Sequence, residues 1–552
     1  MRILVALVLA SATALAQPPA PDTLFVHGEI LTGAHLAAGD TDAIAARITA
    51  LAVAHGVIVA AGTDAEILKL KTASTQVVDL HGAFAMPGFN DAHTHIASAG
   101  RQHFTVDLDG TTSVADMLAR IRAFAATAPA NAWLEGSGWD HTKWPGATLP
   151  TRTDLDTVTG GHPAMFTRTD GHIVVANSAA LALAHIDRDT PTPAGGKIDR
   201  VASGVPTGIV REGPAIALLD AHIPPPSTEE RRRALEFAIA DALAHGVTSV
   251  QDFSDWEDFL VLADLEREGK LHLRVSEWID FNLPVKTLEE RRASHDARDP
   301  LLHIGMLKAF MDGSLGSRTA ALAAAYTDDP TNSGIRRYDQ VRLNQMAAER
   351  VAAGFQLGFH AIGDEANHMA LDAFSAAKPH DLRLRIEHAQ VLLPADFDRF
   401  AQLGIIASMQ PVHLLTDMNW AAARLGPERA KYSYAWRSML DHHVTLAFGT
   451  DYPVESINPF RGLYAAITRQ NEAGTATYQP QEKITLPEAI YAYTQTSAFA
   501  EFRERIKGRL EPGFLADIVV LDRDPFKSNP QQLLHTRVLR TVVNGETVYQ
   551  AP

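Results

Sequence analysis

The segment PGFNDAHTH, residues 87–95, sets two histidines two positions apart at the end of a short apolar run. Alternate residues of a strand share a face, so His93 and His95 would aim both imidazoles at one point beyond the strand end. That geometry suits a metal ion. Alone it is a weak signal, because solvent-facing histidine pairs occur at this spacing too. Its weight comes from what lies further along the chain. His360 in QLGFHAIGD, His388 in RLRIEHAQ and Asp451 in TLAFGTDYPV each follow a short apolar run that reads as a strand.

Eight such runs alternate with helical patterns, as a parallel βα array requires. The first ends at His95 and the second, VTSVQDF, at Phe253. LHLRVSEWIDF, HIGMLKAFMDG with Lys308, and the runs holding His360 and His388 follow. The seventh, IIASMQPVH, ends at His413, and the eighth carries Asp451. Between the first two, EERRRALEFAIADALAHG reads as a helix stopped by Gly246. Eight units predict a closed (β/α)8 TIM barrel of α/β class over residues 87–500. His93, His95, His360, His388 and Asp451 then gather at the C-terminal rim, where barrel enzymes place catalysis. Packing does not call for them, since barrel interiors favour Val, Ile and Leu.

The gap between the first two strands is too long for one helix. Residues from about 101 to 226 therefore read as an insertion, expected to shape the substrate entrance. Strand-like segments with Gly turns occupy residues 17–86 and 501–552, and Asn544-Gly545 marks a hairpin. Short hairpins cannot bury a core alone, so the two ends are expected to form one small β-sandwich.

Composition removes several function classes. The 552 residues carry a net charge of −16, which speaks against nucleic acid, whose phosphates need clustered Lys and Arg. Cysteine is absent, so disulfides, thiol nucleophiles and thiolate ligands are excluded. Any transition metal must be held by His, Asp, Glu or a modified Lys. H-E-x-x-H, G-x-S-x-G and P-loop patterns are missing. MRILVALVLASATALAQ begins with Arg2, runs apolar from Ile3 to Leu9 and ends in Ala14-Leu15-Ala16, which reads as a signal peptide over residues 1–16. A buried first helix or strand is the alternative. No lipobox Cys follows and no other run is long enough for a membrane span, so a periplasmic or secreted protein is expected.

Lys308 is the unusual member of the site. An ammonium offers donors only and cannot bind a metal. Desolvation beside cations lowers a lysine's pKa; a neutral amine can take up carbon dioxide, and the resulting carbamate could bridge two metals. The plain alternative is an ion pair with Asp312.

The order PGFNDAHTH, then Lys in LKAFMDG, His in FHAIGD, His in IEHAQ and Asp in FGTDYPV resembles the amidohydrolase superfamily. DGHIVVANSAAL, GVPTGIVREGP and DGSLGSRTA resemble its branch of N-substituted formamide deformylases, amidohydrolase family 3 or YtcJ-like. The likeness runs from about Thr23 to the C-terminus. It implies a barrel with a small β-sandwich and a centre of one or two divalent metals, zinc for preference. His93, His95 and Asp451 would hold the more buried ion, His360 and His388 the more exposed one, and a carboxylated Lys308 would bridge them. The activity implied is hydrolysis of a C–N amide-type bond of a small molecule, with Asp451 as proton shuttle.

The same site would suit an ester, a cyclic amide or ring deamination. A rival of another class is a binding protein that keeps its metal as structure. His172 is a candidate substrate contact from the insertion, against a plain surface loop histidine. Trp139 and Trp144 could line the entrance, against ordinary burial of tryptophan. Arg318 is read mainly as bonding Asp312 or a neighbouring loop, with a substrate carboxylate as the lesser alternative. Such barrels often pair, so a homodimer is compatible with the sequence. Expressed in a host with a secretory pathway, the mature chain is expected to begin at Gln17; N-terminal sequencing that finds Met1 on exported protein would remove the export reading.

Overall fold

The computed structural model describes residues 19–36, 47–130, 132–168, 171, 173–193, 196–378 and 381–552. The expected signal peptide, 1–16, lies outside them. Eight strands form one parallel sheet: β1 (Phe89–Thr94), β2 (Val247–Asp252), β3 (Arg274–Asp280), β4 (Leu302–Phe310), β5 (Leu357–Ala361), β6 (Arg385–His388), β7 (Ile406–Met409) and β8 (Leu446–Phe448). Each pairs with the next in chain order, and β2 returns to β1. The ring closes just past β8, where Tyr452 bridges Thr94 in parallel and the Asp451 amide donates to the His93 carbonyl at 2.8 Å. The eight expected runs are these strands, which together make the TIM barrel.

Two boundaries differ from the expectation. The seventh run stops at Met409 and not at His413, because Gln410 and Pro411 intervene and proline has no N–H for a sheet ladder. His413 instead opens a short helix, His413–Asp417. Asp451 likewise sits beyond its strand, in the loop after β8.

Helix Thr228–Ala244 leads into β2 and shows how local sequence sets an element. Ser227 caps it, and Glu230 returns a hydrogen bond to the Ser227 amide at 2.8 Å. The chain leaves through His245 into Gly246, whose φ of +78° only glycine adopts without strain. Helix Ile96–His103 packs against it through Gly100. A Cβ there would lie 1.9 Å from the Ala234 carbonyl oxygen, so glycine is what lets the two backbones meet.

The insertion carries a sheet of its own that the sequence reading did not foresee. Val106–Asp107, Leu134–Trp139, Ala164–Arg168, Ile173–Ala176, Pro206–Arg211 and Lys197–Arg200 form six strands in mixed orientation. Leu134, Trp139, Phe166 and Val175 fill a core on one side, and Val174, Ile198 and Val210 fill another.

A four-stranded sheet comes wholly from the N-terminal part: Val57–Gly62, Ala50–Ala54, Thr23–Val26 and Gln76–Asp79. A five-stranded sheet joins both ends of the chain. It sets Glu29–Ile30 and Phe84–Pro87 beside Ile518–Leu521, Val538–Val543 and Glu546–Gln550. Phe25, Leu51, Val53, Ile518, Val520 and Val542 share the core between them. The last two strands turn at Asn544 and Gly545, both with positive φ, as a tight hairpin requires. No helix among the described residues is long and apolar enough to cross a membrane.

Barrel and sandwich are joined by a buried ion pair. Arg274 of β3 donates to Asp517 at 2.6 and 2.9 Å, and both side chains are at least nine-tenths buried. Breaking such a pair leaves one uncompensated charge and costs about 3–5 kcal/mol. Arg274→Ala is therefore expected to lower the unfolding free energy from urea titration by that amount, through a lower midpoint with the m-value unchanged; an unaltered midpoint would show that the pair does not join the two parts.

Candidate metal centre

Strand parity brings His93 and His95 together as expected. Their rings lie 5.4 Å apart, and those of His93 and His388 4.9 Å apart. The His360 and His388 rings are separated by 4.5 Å. Asp451 reaches into this group, with Oδ1 3.1 Å from His95 Nε2 and 3.5 Å from His93 Nε2. Lys308 Nζ stands 3.0 Å from His93 Nε2. All six residues named from the sequence thus meet at the C-terminal rim of the barrel. The tightest trio is His93, His388 and Asp451, whose donor atoms all lie within 4.8 Å of one another. It takes one histidine from each of the two ligand sets that the resemblance implies.

Three imidazoles have one nitrogen tied to a fixed acceptor. His93 Nδ1 donates to Glu387 Oε2 at 2.7 Å, and His95 Nδ1 donates to the Phe253 carbonyl at 2.9 Å. His360 Nε2 donates to the Gly313 carbonyl at 3.0 Å. A neutral imidazole that donates through one nitrogen keeps a lone pair on the other. The network therefore assigns the tautomers, as outer acceptors do around metal-bound histidines. His388 Nδ1 is buried without a hydrogen-bond partner among the described residues, as is His413 Nε2. Buried polar atoms rarely stay unpaired, so the His388 orphan, in the tightest trio, fits a site that takes a cation. The donor set of imidazoles and one carboxylate suits zinc or a similar ion.

Burial sets the protonation states. It pushes His93 down to about 4 and His360 down to about 3, with the Lys308 charge adding to both. His388 falls well below its usual range for the same first reason. These three are neutral at neutral pH, which is the ligating form. Burial acts the same way on His95, but the Asp451 carboxylate outweighs it and raises that histidine. Burial opposes ionisation of Asp451, yet His93 and His95 hold it well below the carboxylate range. Desolvation pulls Lys308 down to about 8 against the charges of Glu387 and Asp451, which leaves an appreciable neutral fraction.

Backbone strain gathers here too. His388 has φ +73° and Asp451 φ +61°, in the left-handed region that non-glycine residues seldom occupy. Such strain persists where surroundings over-determine it. Asp91, inside the opening motif, is part of that support. Its Oδ1 accepts from the amides of His93 and Thr450, and its Oδ2 accepts from the Thr450 hydroxyl at 2.6 Å. It fixes the turn that presents Asp451.

A cavity of about 400 Å3 opens over the cluster. Phe310, Leu315, Ile362 and Trp420 give it apolar walls, and Asp417 and Glu455 stand on its rim. Among the described residues these walls come from the barrel. Trp139 is fully buried in the insertion's own core, where Nε1 donates to the Phe166 carbonyl at 3.0 Å; Trp144 is buried beside it. Neither reaches the cavity, because each packs as an ordinary core tryptophan. Arg318 is engaged by Asp328 at 2.8 and 3.1 Å, not by Asp312. Asp312 does not pair with Lys308 either, since it accepts the amides of Ala321, Ile362 and Gly363. His172 lies outside the described residues.

Two residues of the cluster escaped the sequence reading. His413 stands 3.6 Å from Asp451 Oδ2 and lines the cavity, but its position had been read only as a strand end. Glu387 is fully buried beside Arg385 at 2.5 Å and His93 at 2.7 Å. Burial opposes its charge, and Arg385 and His93 overcome that and keep it ionised. The signal was present in Arg-Ile-Glu-His, where a buried strand alternates two charges on one face.

A family model described as "Amidohydrolase family" matches residues 76–549. Protein LONG AFTER FAR-RED 3 of Arabidopsis thaliana is 34% identical over 96% of this chain and 93% of its own length. N-substituted formamide deformylase of Arthrobacter pascens is 29% identical over 91% and 95%. A solved structure of an uncharacterized metal-dependent hydrolase from Pyrococcus furiosus superposes with a TM-score of 0.77 at 31% identity, over 92% of this chain and all of that one.

Removing the acceptor behind a metal-bound histidine usually costs about 10–100-fold in metal affinity. Glu387→Gln is expected to weaken metal binding by that factor in a chelator competition. Unchanged affinity would detach Glu387 from the centre.

Proposed function

This chain belongs to the amidohydrolase family and is a metal-dependent hydrolase, and from that premise we propose that it cleaves a C–N amide-type bond of a small molecule. The observation that carries the reading is the cluster of His93, His388 and Asp451, whose donor atoms lie within 4.8 Å of one another, with His93 tied through its other nitrogen to Glu387. His93, His95, His360, His388 and Asp451 would hold one or two zinc ions. Lys308, as a carbamate, would add a bridging carboxylate. Zinc bound there would lower the pKa of a water toward about 7 and polarise the scissile carbonyl.

Asp451 is ionised across the neutral range, so its carboxylate can accept the proton of the attacking water. The same carboxylate then delivers that proton to the departing nitrogen, which leaves as a neutral amine. His413, with a buried unpaired nitrogen near Asp451, is placed to donate to the carbonyl oxygen as charge develops on it. The apolar walls exclude water from the rest of the substrate and strengthen these contacts. Choice of an amide over an ester or a ring amidine draws support from the deformylase relative, whose name describes cleavage of a C–N bond. The apolar start of the chain supports work in the periplasm or outside the cell.

Asp451→Asn is expected to abolish amide turnover, by a factor of about 100 or more, while the circular dichroism spectrum stays native. A variant that retains wild-type turnover would exclude the proton shuttle. Mass spectrometry of intact holoenzyme is expected to show the added mass of one carbon dioxide, absent from Lys308→Ala. An unmodified lysine in an active enzyme would exclude the carbamate.

A further inference from the structure

A second cavity of about 390 Å3 lies beside the metal centre, lined by Asn282, Phe310, Arg337, Tyr338, Asp339 and Arg342. Phe310 also lines the metal cavity, so the two spaces share one residue. Its ring centroid is 5.1 Å from the His360 ring and 5.2 Å from Lys308 Nζ. The Arg337 guanidinium carbon is 5.7 Å from the same ring.

Arginines of this chain are commonly paired. Nearby, Arg336 binds Glu365, Arg318 binds Asp328 and Arg350 binds Glu349. Among the described residues Arg337 and Arg342 have no such carboxylate within ion-pair distance. The one carboxylate on the cavity wall, Asp339, is engaged otherwise: its Oδ1 accepts the amides of Val341 and Arg342 and caps helix Gln340–Ala352. Two exposed guanidinium groups and one carboxylate thus line this cavity and give it a net positive wall in a chain of net charge −16.

The carboxylates that line the metal cavity are already engaged, Glu455 by Arg461 at 3.0 Å and Asp417 by the Gln390 amide at 3.0 Å and the Tyr434 hydroxyl. An anionic group on the substrate finds its free cationic partners in the neighbouring cavity, on Arg337 and Arg342. Guanidinium groups match carboxylates by paired N–H donors, and two of them beside an aromatic wall suit an aryl or alkyl chain ending in that group. Arg318, the sequence candidate for a substrate carboxylate, is already engaged by Asp328, which leaves this role to other arginines.

We propose that Arg337 and Arg342 form a carboxylate subsite, and that preferred substrates are amides with a carboxylate at the end remote from the scissile bond. The proposal rests on the amide-hydrolase reading for its substrate, but the subsite can be tested by binding alone. The first experiment compares two formamides on the holoenzyme, that of 4-(aminomethyl)benzoate and that of 4-methylbenzylamine, which differ by a carboxylate in place of a methyl group. The kcat/KM ratio is expected to favour the carboxylate in the wild type and to fall about 10- to 100-fold in the Arg337→Ala, Arg342→Ala double variant. The Arg337→Lys, Arg342→Lys protein, which keeps the charge, is expected to fall between them. A ratio near one in the wild type, or a ratio the double variant leaves unchanged, would overturn the proposal.

The second experiment titrates 4-methylbenzoate and, separately, inorganic phosphate into wild-type and double-variant holoenzyme by calorimetry. Carboxylate binding that weakens at least about tenfold in the double variant supports the subsite, even if neither formamide is turned over. In that event the amide reading fails and the subsite stands. Equal affinity in both proteins, or arginine-dependent binding of phosphate in preference to the carboxylate, would overturn it.

Discussion

Glu387 is the constraint on which the centre depends. It is a carboxylate with no solvent, held ionised by Arg385 on one side and His93 on the other. A buried charge survives only with such partners. Because Glu387 accepts the Nδ1–H hydrogen bond of His93, the other nitrogen keeps a lone pair facing Asp451 and Lys308. Arg385 is itself spread over neighbouring strands, donating to the Ala92 carbonyl at 2.7 Å, to Ser408 at 2.7 Å and to Gln251. One guanidinium thus ties four strands of the ring to the orientation of one imidazole. The polar interior of the barrel floor, costly as packing, is what makes its rim rigid.

The fold was legible because its signal is repetitive. Eight apolar runs with helical spacers admit few arrangements, and the ligands fall where those runs end. His93 and His95 could be paired by parity alone. His413 could not: Pro411 breaks the ladder before it, and the short helix that carries the ring back over the site leaves no period to read. Glu387 was hidden for a different reason. A buried acid looks like any other acid in sequence until its partners are known, and Arg385 and His93 become its partners only when β1 and β6 face each other inside the ring.

The insertion and the arginines show the opposite failure, in which residue type misleads. Trp139 and Trp144 invite a binding role, yet they stabilise a separate small sheet. Arg318 lies in a motif and is consumed by a neighbouring aspartate. Arg337 and Arg342 lie in no motif, and what distinguishes them is that both line one cavity beside the metal centre with no carboxylate at ion-pair distance. Such a property exists only in three dimensions, since it depends on what every other acid in the neighbourhood is doing.

The five-stranded sheet joins the two ends of the chain, setting Phe84–Pro87 directly against Ile518–Leu521. While ribosomes are still making the chain, Phe84–Pro87 has only the two-residue strand Glu29–Ile30 beside it, and its other edge faces water. Completion of that layer must wait for almost the last codons. Late closure of this kind leaves part of the nascent polypeptide open until synthesis is almost finished. A topology that seems merely to tidy the termini thus also sets the moment at which the molecule stops being a thread.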